Sequence, residues 1–505
     1  MEIKEIDLFW HNYKFFPYEK KFALREVESL LTPINIEEKN NRITLKSPQN
    51  HTLFNKLVYF SHAKIEEDLL ETIQFQYENT LKLHDKVRSK RQNTRYSVHG
   101  LHEYKGKFNP QVVKALYNIF GIKSGDRILD PFCGSGTSIV EAAHSNISAM
   151  GTDINPLAAM IANTKVASLN VPWEFLHNQK RSFLEIFEEQ KEDIVLDDSD
   201  LRIRYLRSWF PEHTLIEMEA LKAAALSIVE PVNSIFLIIV SNILRDYSLQ
   251  EPSDLRIRRR NSPLPETPFI EEVEKAIDFF IHQLKGFQSD FGLISTRNKA
   301  YNLGIRMFDE QKVEGEESFD FAITSPPYAT ALPYIDTQRL SLVWLNLIQA
   351  SKIKELESEL IGSREFKIKL EQEKWRESLD ENKLDLPEPI NAFCKSLSSK
   401  LIQSDGFRKK ALPSLLYRYF YDMQMAFQSV YNQLKTEKYF ALIVGHNHTM
   451  IGGKRTEINT PELLTFLGEK VGFKIHEVTK LEAYQRYGLN SSNAVQSESL
   501  IVFKK

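Results

Sequence analysis

Two short stretches carry residue types that could do chemistry together. The first, LDPFCGSGT, places Asp130, Pro131, Phe132, Gly134, Ser135, Gly136 and Thr137 where an apolar strand turns into a helix. Gly134 and Gly136 permit positive φ and close backbone approach, so a ligand can lie against the turn and meet helix N-terminal amides. The spacing lacks the third glycine of a dinucleotide site and the Gly-Lys-Ser/Thr of a phosphate loop. Asp153 follows about 20 residues later at the end of a second strand, where a carboxylate bonds the two hydroxyls of an adenosine ribose. It reads equally well as an N-cap for the helix that begins NPLAAM, and Asp130 as a cap of its own turn. Together the two acids and two glycines describe a pocket for a nucleoside carrying a positively charged amino-acid tail.

The second stretch, SFDFAITSPPY, ends an apolar strand on Ser325-Pro326-Pro327-Tyr328. Each proline fixes φ and supplies no N–H, so the bend is stiff and rich in acceptors. By itself such a bend is also an ordinary strand terminator.

Positioning these stretches requires a sheet. PQVVKALYNIFGI reads as a helix closed by Gly121, DRILDP (126–131) as a short buried strand, NISAMGTDINP (146–156) as a second strand and LAAMIANTKVASL as a second helix. This β-α-β-α order is the signature of a parallel α/β sheet. Strand-like pieces return at 299–305, 319–324, 439–445, 473–481 and 498–505. The expected division is an N-terminal unit (1–95), the first half of an α/β domain (96–165), a helical insertion (166–295), a segment with SPPY (296–349), a second insertion (350–412) and C-terminal strands (413–505). In the N-terminal unit, Ile65, Leu69, Leu70, Ile73 and Tyr77 recur at helical spacing and predict a helix near 64–84.

The 505 residues exceed one ordinary domain, and 42% apolar with 26% charged content is that of a soluble globular chain. No apolar run is long enough to span a bilayer and no secretory signal opens the chain, so no membrane association and a cytoplasmic location are the defaults. Cys133 and Cys394 are the only cysteines, too few for a disulfide framework or a structural zinc site, and no metal is expected. His446 and His448 resemble a metal pair but lack a third ligand nearby. The 65 Lys and Arg nearly balance 68 Asp and Glu. Arg88, Arg91 and Arg95 sit in one basic run, and Arg256, Arg258, Arg259 and Arg260 in another; both suit solvated faces as well as phosphate contacts.

DPFCGSGT, GTDINP and TSPPY, in that order, resemble the S-adenosylmethionine-dependent amino-methyltransferases of DNA. The resemblance covers about 96–165 and 299–345, and 436–505 only as a pattern of late strands. It implies a Rossmann-like seven-stranded methyltransferase sheet with helical insertions and a small N-terminal unit. It further implies that Phe108 and Pro110, in HGLHEYKGKFNPQ, wall the cofactor's methionine moiety and that Asp130 holds its amino group. Pro131, Phe132, Gly134, Ser135, Gly136 and Thr137 would form the loop beneath it, Asp153 would bind the ribose and Asp309 would meet the adenine amine.

An exocyclic amine is a poor nucleophile because its lone pair is delocalised into the ring. Ser325 and the Pro326 carbonyl, held stiff by Pro327, would accept from the amine and aim its lone pair, while Tyr328 would stack the flipped base. Methylation of a ring carbon would need a Pro-Cys nucleophile, and neither cysteine follows a proline. Serine at the head of SPPY is similar to the cytosine-N4 subgroup. Adenine N6, tRNA guanine N2 and a non-catalytic cofactor- or DNA-binding component are the alternatives. The implied partner is double-stranded DNA, met by the arginines named above; neither a cognate restriction nuclease nor the oligomeric state is fixed by the sequence.

Overall fold

The computed structural model describes residues 3–39, 41–48, 51–80, 92–308, 319–329, 334–364, 366, 368–482 and 497–505. The chain opens with β1 (Lys4–Trp10), α1 (Pro17–Leu31), β2 (Asn35–Lys39), β3 (Arg42–Ser47), β4 (Phe60–Ile65), β5 (Asp68–Glu71) and α2 (Ile73–Asn79). The five strands form an antiparallel sheet in the order β2-β3-β1-β4-β5. The helix expected near 64–84 is therefore corrected: Ile65 ends β4, Leu69 and Leu70 belong to β5, and among the described residues of that stretch only α2 is helical. Glu66 at φ 58° turns the chain into a hairpin whose β4 pairs with β1. Leu69 and Leu70 are 60% and 42% exposed, so their helical spacing never marked a buried face.

The second sheet is built from β6 (Arg127–Asp130), β7 (Ser148–Asp153), β8 (Lys299–Asn302), β9 (Phe319–Thr324), β10 (Leu434–Gly445), β13 (Lys474–Glu482) and β14 (Ser497–Lys504). Between β10 and β13 a separate hairpin joins β11 (Asn447–Ile451) to β12 (Lys454–Ile458). The seven-stranded order is β13-β14-β10-β9-β6-β7-β8. Strand β14 is antiparallel to both β10 and β13, and the remaining pairs are parallel, so β14 alone runs against the other six. The fold is α/β, with a Rossmann-like seven-stranded sheet, helical insertions and a small N-terminal unit. Every residue of β9 is buried, as in a strand covered on both faces, with Asp320 paired to Lys435 and Lys438 and Thr324 bonded to Asp130.

Helices α3 (Pro110–Ile119), α4 (Thr137–His144) and α5 (Pro156–Ser168) connect the first strands. Asn109 caps α3 and Asn155 caps α5, each followed by proline at the first helical position, where a missing N–H costs nothing. Between β7 and β8 lie α6 (Trp173–Lys191), α7 (Leu201–Arg207), α8 (Glu212–Leu226), α9 (Val232–Ile243) and α10 (Phe269–Phe291). Between β9 and β10 lie α11 (Tyr334–Trp344), α12 (Ile353–Glu359), α13 (Lys369–Glu381), α14 (Glu388–Ser399) and α15 (Phe407–Gln433), and α16 (Thr460–Val471) precedes β13. Residues of the central strands divide between two cores. Ile128, Phe321 and Ile323 join a core shared with the N-terminal sheet and α6–α10, and Leu129, Phe319 and Ala322 join one shared with α14–α16. Among the described residues no helix is long and apolar enough to cross a membrane.

Candidate active site

From β6 the chain steps outward to β7 and β8, then returns to lay β9 on the opposite side of β6. Ligands of open α/β sheets bind at such a reversal, beyond the carboxyl ends of the strands. A cleft of about 930 Å³, open to solvent, lies there. One wall is Pro131, Phe132, Gly134 and Asp153; another is Ser325, Pro326, Pro327 and Tyr328. The two stretches singled out in the sequence thus share one cavity.

The glycine turn has the geometry of a cradle. Gly134 and Gly136 adopt φ of 50° and 82°. A Cβ on Gly136 would lie 2.6 Å from the Cβ of Ala162, so this glycine lets α4 meet α5. At Gly134 a Cβ would point to the Tyr104 ring, 3.3 Å away, leaving backbone as the cleft surface between them. Behind the turn, the buried Lys165 amine donates to the Ser135 carbonyl at 3.2 Å, and burial, then Lys107, pushes its pKa well below the ordinary lysine value. Asp153 accepts from the Gly134 N–H at 3.0 Å and the Asn155 N–H at 2.9 Å. Burial pushes its carboxyl up to about 6 against those two bonds. A carboxylate at the cleft wall beside an open glycine turn fits the ribose and amino-acid ends of S-adenosylmethionine.

Asp130 is 2% exposed and is not among the residues that line the cleft. Its carboxylate accepts from the hydroxyls of Ser138 and Thr324, the latter at 2.7 Å, and from the Phe132 N–H at 3.1 Å. It fastens the glycine turn to the end of β9. Phe108 and Pro110 also lie outside the cleft lining: Asn109 caps α3 and buries Pro110 in its first turn, and Phe108 packs on the main core. Tyr104, Lys105 and Gly106 take the wall instead. That loop is held by Glu103, whose N–H donates to Asn242 at the end of α9 at 2.9 Å. Ser135, Gly136 and Thr137 support the turn from beneath, with Ser135 and Thr137 buried. Asp309, Arg88 and Arg91 lie outside the described residues.

At the other wall, Pro326 is buried and Ser325, Pro327 and Tyr328 are partly exposed. Burial, then Glu498, pushes the Tyr328 phenol up to about 12. Both cysteines are buried, and burial raises both thiols, which suits neither to nucleophilic attack.

The arginines are only partly available as surface cations. Arg259 stacks on Trp209 at 4.2 Å and donates to the Ser208 carbonyl at 2.6 Å. Arg260 donates to the carbonyls of Asp246 and Ser248, and Arg258 pairs with Asp254 at 2.8 Å. These bonds give their loop its shape, while Arg256, Arg258 and Arg259 remain exposed. Arg95 is exposed and paired with Glu103. His446 meets Ser499 at 3.1 Å, and His448 lies in the β11–β12 hairpin. A group the sequence did not announce is His99, Glu141 and His144. One oxygen of Glu141 lies 2.6 Å from His99 Nε2 and 3.2 Å from His144 Nδ1, and accepts from the Tyr96 hydroxyl at 2.8 Å. Burial pushes His99 down to about 3, so a neutral ring donates, and this network ties the segment leading to Tyr104 onto α4.

Sequence reasoning also passed over Asn155, Leu303, Gly304, Ile305, Arg306 and the 359–361 segment, all in the cleft lining. Asn155 had a visible signal as the cap of α5. The others had none, because they reach the cleft through tertiary packing.

Residues 101–181 match the family described as UPF0020, RMKL-like, methyltransferase domain. The chain is 25% identical over 422 residues to the type II methyltransferase M.MvaI of Kocuria varians, covering 78% of this chain and 85% of that one. It is 24% identical over 476 residues to the type II methyltransferase M.BsoBI of Geobacillus stearothermophilus, covering 88% and 90%. A shorter likeness, 42% over 52 residues, covers 10% of this chain and 16% of the tRNA (guanine(10)-N2)-dimethyltransferase of Methanothermobacter thermautotrophicus. Taken with the sheet and its cleft, these likenesses support an S-adenosylmethionine-dependent methyltransferase.

Proposed function

We propose that the protein methylates double-stranded DNA at an exocyclic amine, cytosine N4 foremost, with adenine N6 as the alternative base. The reading rests on one observation: the glycine turn with Asp153 and the SPPY bend line the same cleft. S-adenosylmethionine supplies an electrophilic methyl group when bound. Asp153 holds the ribose, and the backbone of Gly134 lets the cofactor lie against the turn. Ser325 and the Pro326 carbonyl accept from the amine and aim its lone pair, Tyr328 stacks the everted base, and the surplus amine proton leaves to water. No carboxylate stands at the head of SPPY, so catalysis is alignment and electrostatics without a strong base. Exposed Arg256, Arg258 and Arg259 meet phosphates, as does the basic run before Tyr96. A cognate restriction nuclease belongs to the same reading.

A second reading, methylation of guanine N2 in tRNA, is favoured by the 52-residue likeness to the tRNA enzyme. Incubation with tritiated S-adenosylmethionine and either amplified genomic DNA or bulk tRNA, followed by hydrolysis to nucleosides, tests both. N4-methylcytosine from DNA is the expected product. Label confined to tRNA would replace the first reading with the second, and cofactor binding without label in either pool would leave only a binding component.

A further inference from the structure

The SPPY bend has less backbone freedom than any other part of the cleft wall. Ser325 and Pro326 each precede a proline, which confines both to extended conformations, and the rings fix φ at Pro326 and Pro327. Between the acceptors and Tyr328 the backbone keeps two soft torsions, ψ of Pro327 and φ of Tyr328. Rotation about the first swings the Pro327 carbonyl and carries the whole of Tyr328 away from Ser325.

That carbonyl is held. The hydroxyl of Tyr419, on α15, donates to it at 3.1 Å. Tyr419 is 1% exposed and Pro327 is partly exposed at the cleft wall, so the bond reaches from the core to the bend and is part-buried. The adjoining turn of α15 fixes other parts of the same wall: Asp422 accepts from Arg306 at 2.6 Å, Arg306 donates onward to the Glu359 carbonyl at 2.7 Å, and Arg418 donates to the Ser363 carbonyl at 2.9 Å. One helix face thus fastens the bend and the segment that closes the cleft beside it.

We propose that Tyr419 is a positioning residue for methyl transfer: its hydroxyl locks the Pro327 torsion and so sets the Tyr328 ring against the acceptors of Ser325 and Pro326. The assignment rests on the function proposed above. Tyr419 acts through Tyr328 and touches neither cofactor nor base.

Tyr419→Phe keeps the buried ring and removes only the donor. With tritiated S-adenosylmethionine and amplified genomic DNA, the single-turnover rate at saturation should fall on the order of tenfold, the effect of one lost hydrogen bond. Cofactor Kd and the KM for DNA should stay within about twofold of wild type, a split that general loosening of the fold would not produce. A double-mutant cycle makes the claim specific: in a Tyr328→Ala background, Tyr419→Phe should slow transfer by less than about twofold. An unchanged rate in Tyr419→Phe, or fully additive losses in the double variant, would overturn the assignment while the methyl-transfer reading stood. A wild-type protein that labels no nucleic acid would overturn that reading and this assignment with it.

Discussion

The hydroxyl of Thr324 donates to the carboxylate of Asp130 at 2.7 Å, joining the ends of two neighbouring parallel strands that are 194 residues apart in the chain. The same carboxylate accepts from Ser138 and from the Phe132 N–H in the glycine turn. A single acid therefore ties the glycine turn to the end of β9, the strand that leads into the SPPY bend. Under the proposed function, such a tie would hold the two walls at a fixed separation, which is what transfer between two bound groups requires.

Thr324→Val removes that strut at nearly constant shape. Burial already pushes the Asp130 carboxyl up to about 6, opposed by its three hydrogen bonds. For an acid raised in the fold, the stabilising contribution is complete below the ordinary aspartate range and is lost as pH rises through about 6. Taking away one donor should raise this carboxyl further and cost about 1–3 kcal/mol where it is ionised. Denaturant unfolding should thus show the larger loss at pH 8 and a smaller one at pH 5. Equal losses at both would mean that Thr324 contributes packing alone.

The glycine turn, Asp153 and the SPPY bend were legible in the sequence because each couples rare residue types to a local turn whose geometry the chain itself dictates. What was not legible depends on which side of a loop faces in, or on partners far away in the chain. Tyr104 lines the cleft where Phe108 and Pro110 do not, and the Asn109 cap commits Pro110 to the first turn of α3. The apolar spacing of Ile65, Leu69 and Leu70 imitated a helix until β4 found β1. The basic run marked Arg259 as a cation, but nothing local showed that its guanidinium also lies on Trp209. Asp130 and Tyr419 owe their roles to hydrogen bonds spanning 194 and 92 residues, which no local pattern encodes.

Gly136→Ala should destabilise the fold more than Gly121→Ala. Both glycines have positive φ, 82° and 66°, so both substitutions carry a conformational cost of about 1 kcal/mol. Only at Gly136 does the new Cβ meet a neighbour, 2.6 Å from Ala162, whereas nothing lies within 4 Å at Gly121. Overpacking between α4 and α5 should add about 1–3 kcal/mol. Thermal unfolding of the two variants side by side reads the difference, and equal midpoints would show that α5 yields freely.

Glu26 is fully buried on α1 and accepts from Asn118 of α3 at 2.7 Å. Burial pushes its carboxyl up to about 8. Its contribution is fully present below the ordinary glutamate range and disappears as pH rises through about 8, so the contact between the N-terminal unit and α3 should weaken in alkaline solution. Glu78 and Glu19, each raised to about 7 by burial, slope the same way. Glu26→Gln keeps an acceptor for Asn118 and removes the ionisation. Its unfolding free energy should fall less steeply between pH 6 and pH 9 than that of wild type, by roughly 1–4 kcal/mol over the range. Parallel pH profiles would show that water reaches Glu26 and relieves its burial.

The two walls of the cleft should separate when each is damaged alone. Asp153→Ala removes a carboxylate that lines the cavity and also frees the Gly134 N–H, so cofactor affinity should drop by about tenfold or more, the scale of a hydrogen bond to a charged group. Tyr328→Ala leaves that wall intact and should keep the Kd for S-adenosylmethionine within about twofold. Without its ring an everted base loses about 1–3 kcal/mol of stacking, and kcat/KM on DNA should fall by about fivefold to 150-fold. Equilibrium binding of the cofactor and initial rates of label transfer, measured on both variants, resolve the two effects. Full rate in Tyr328→Ala would remove the stacking role and leave base capture to the acceptors of Ser325 and Pro326.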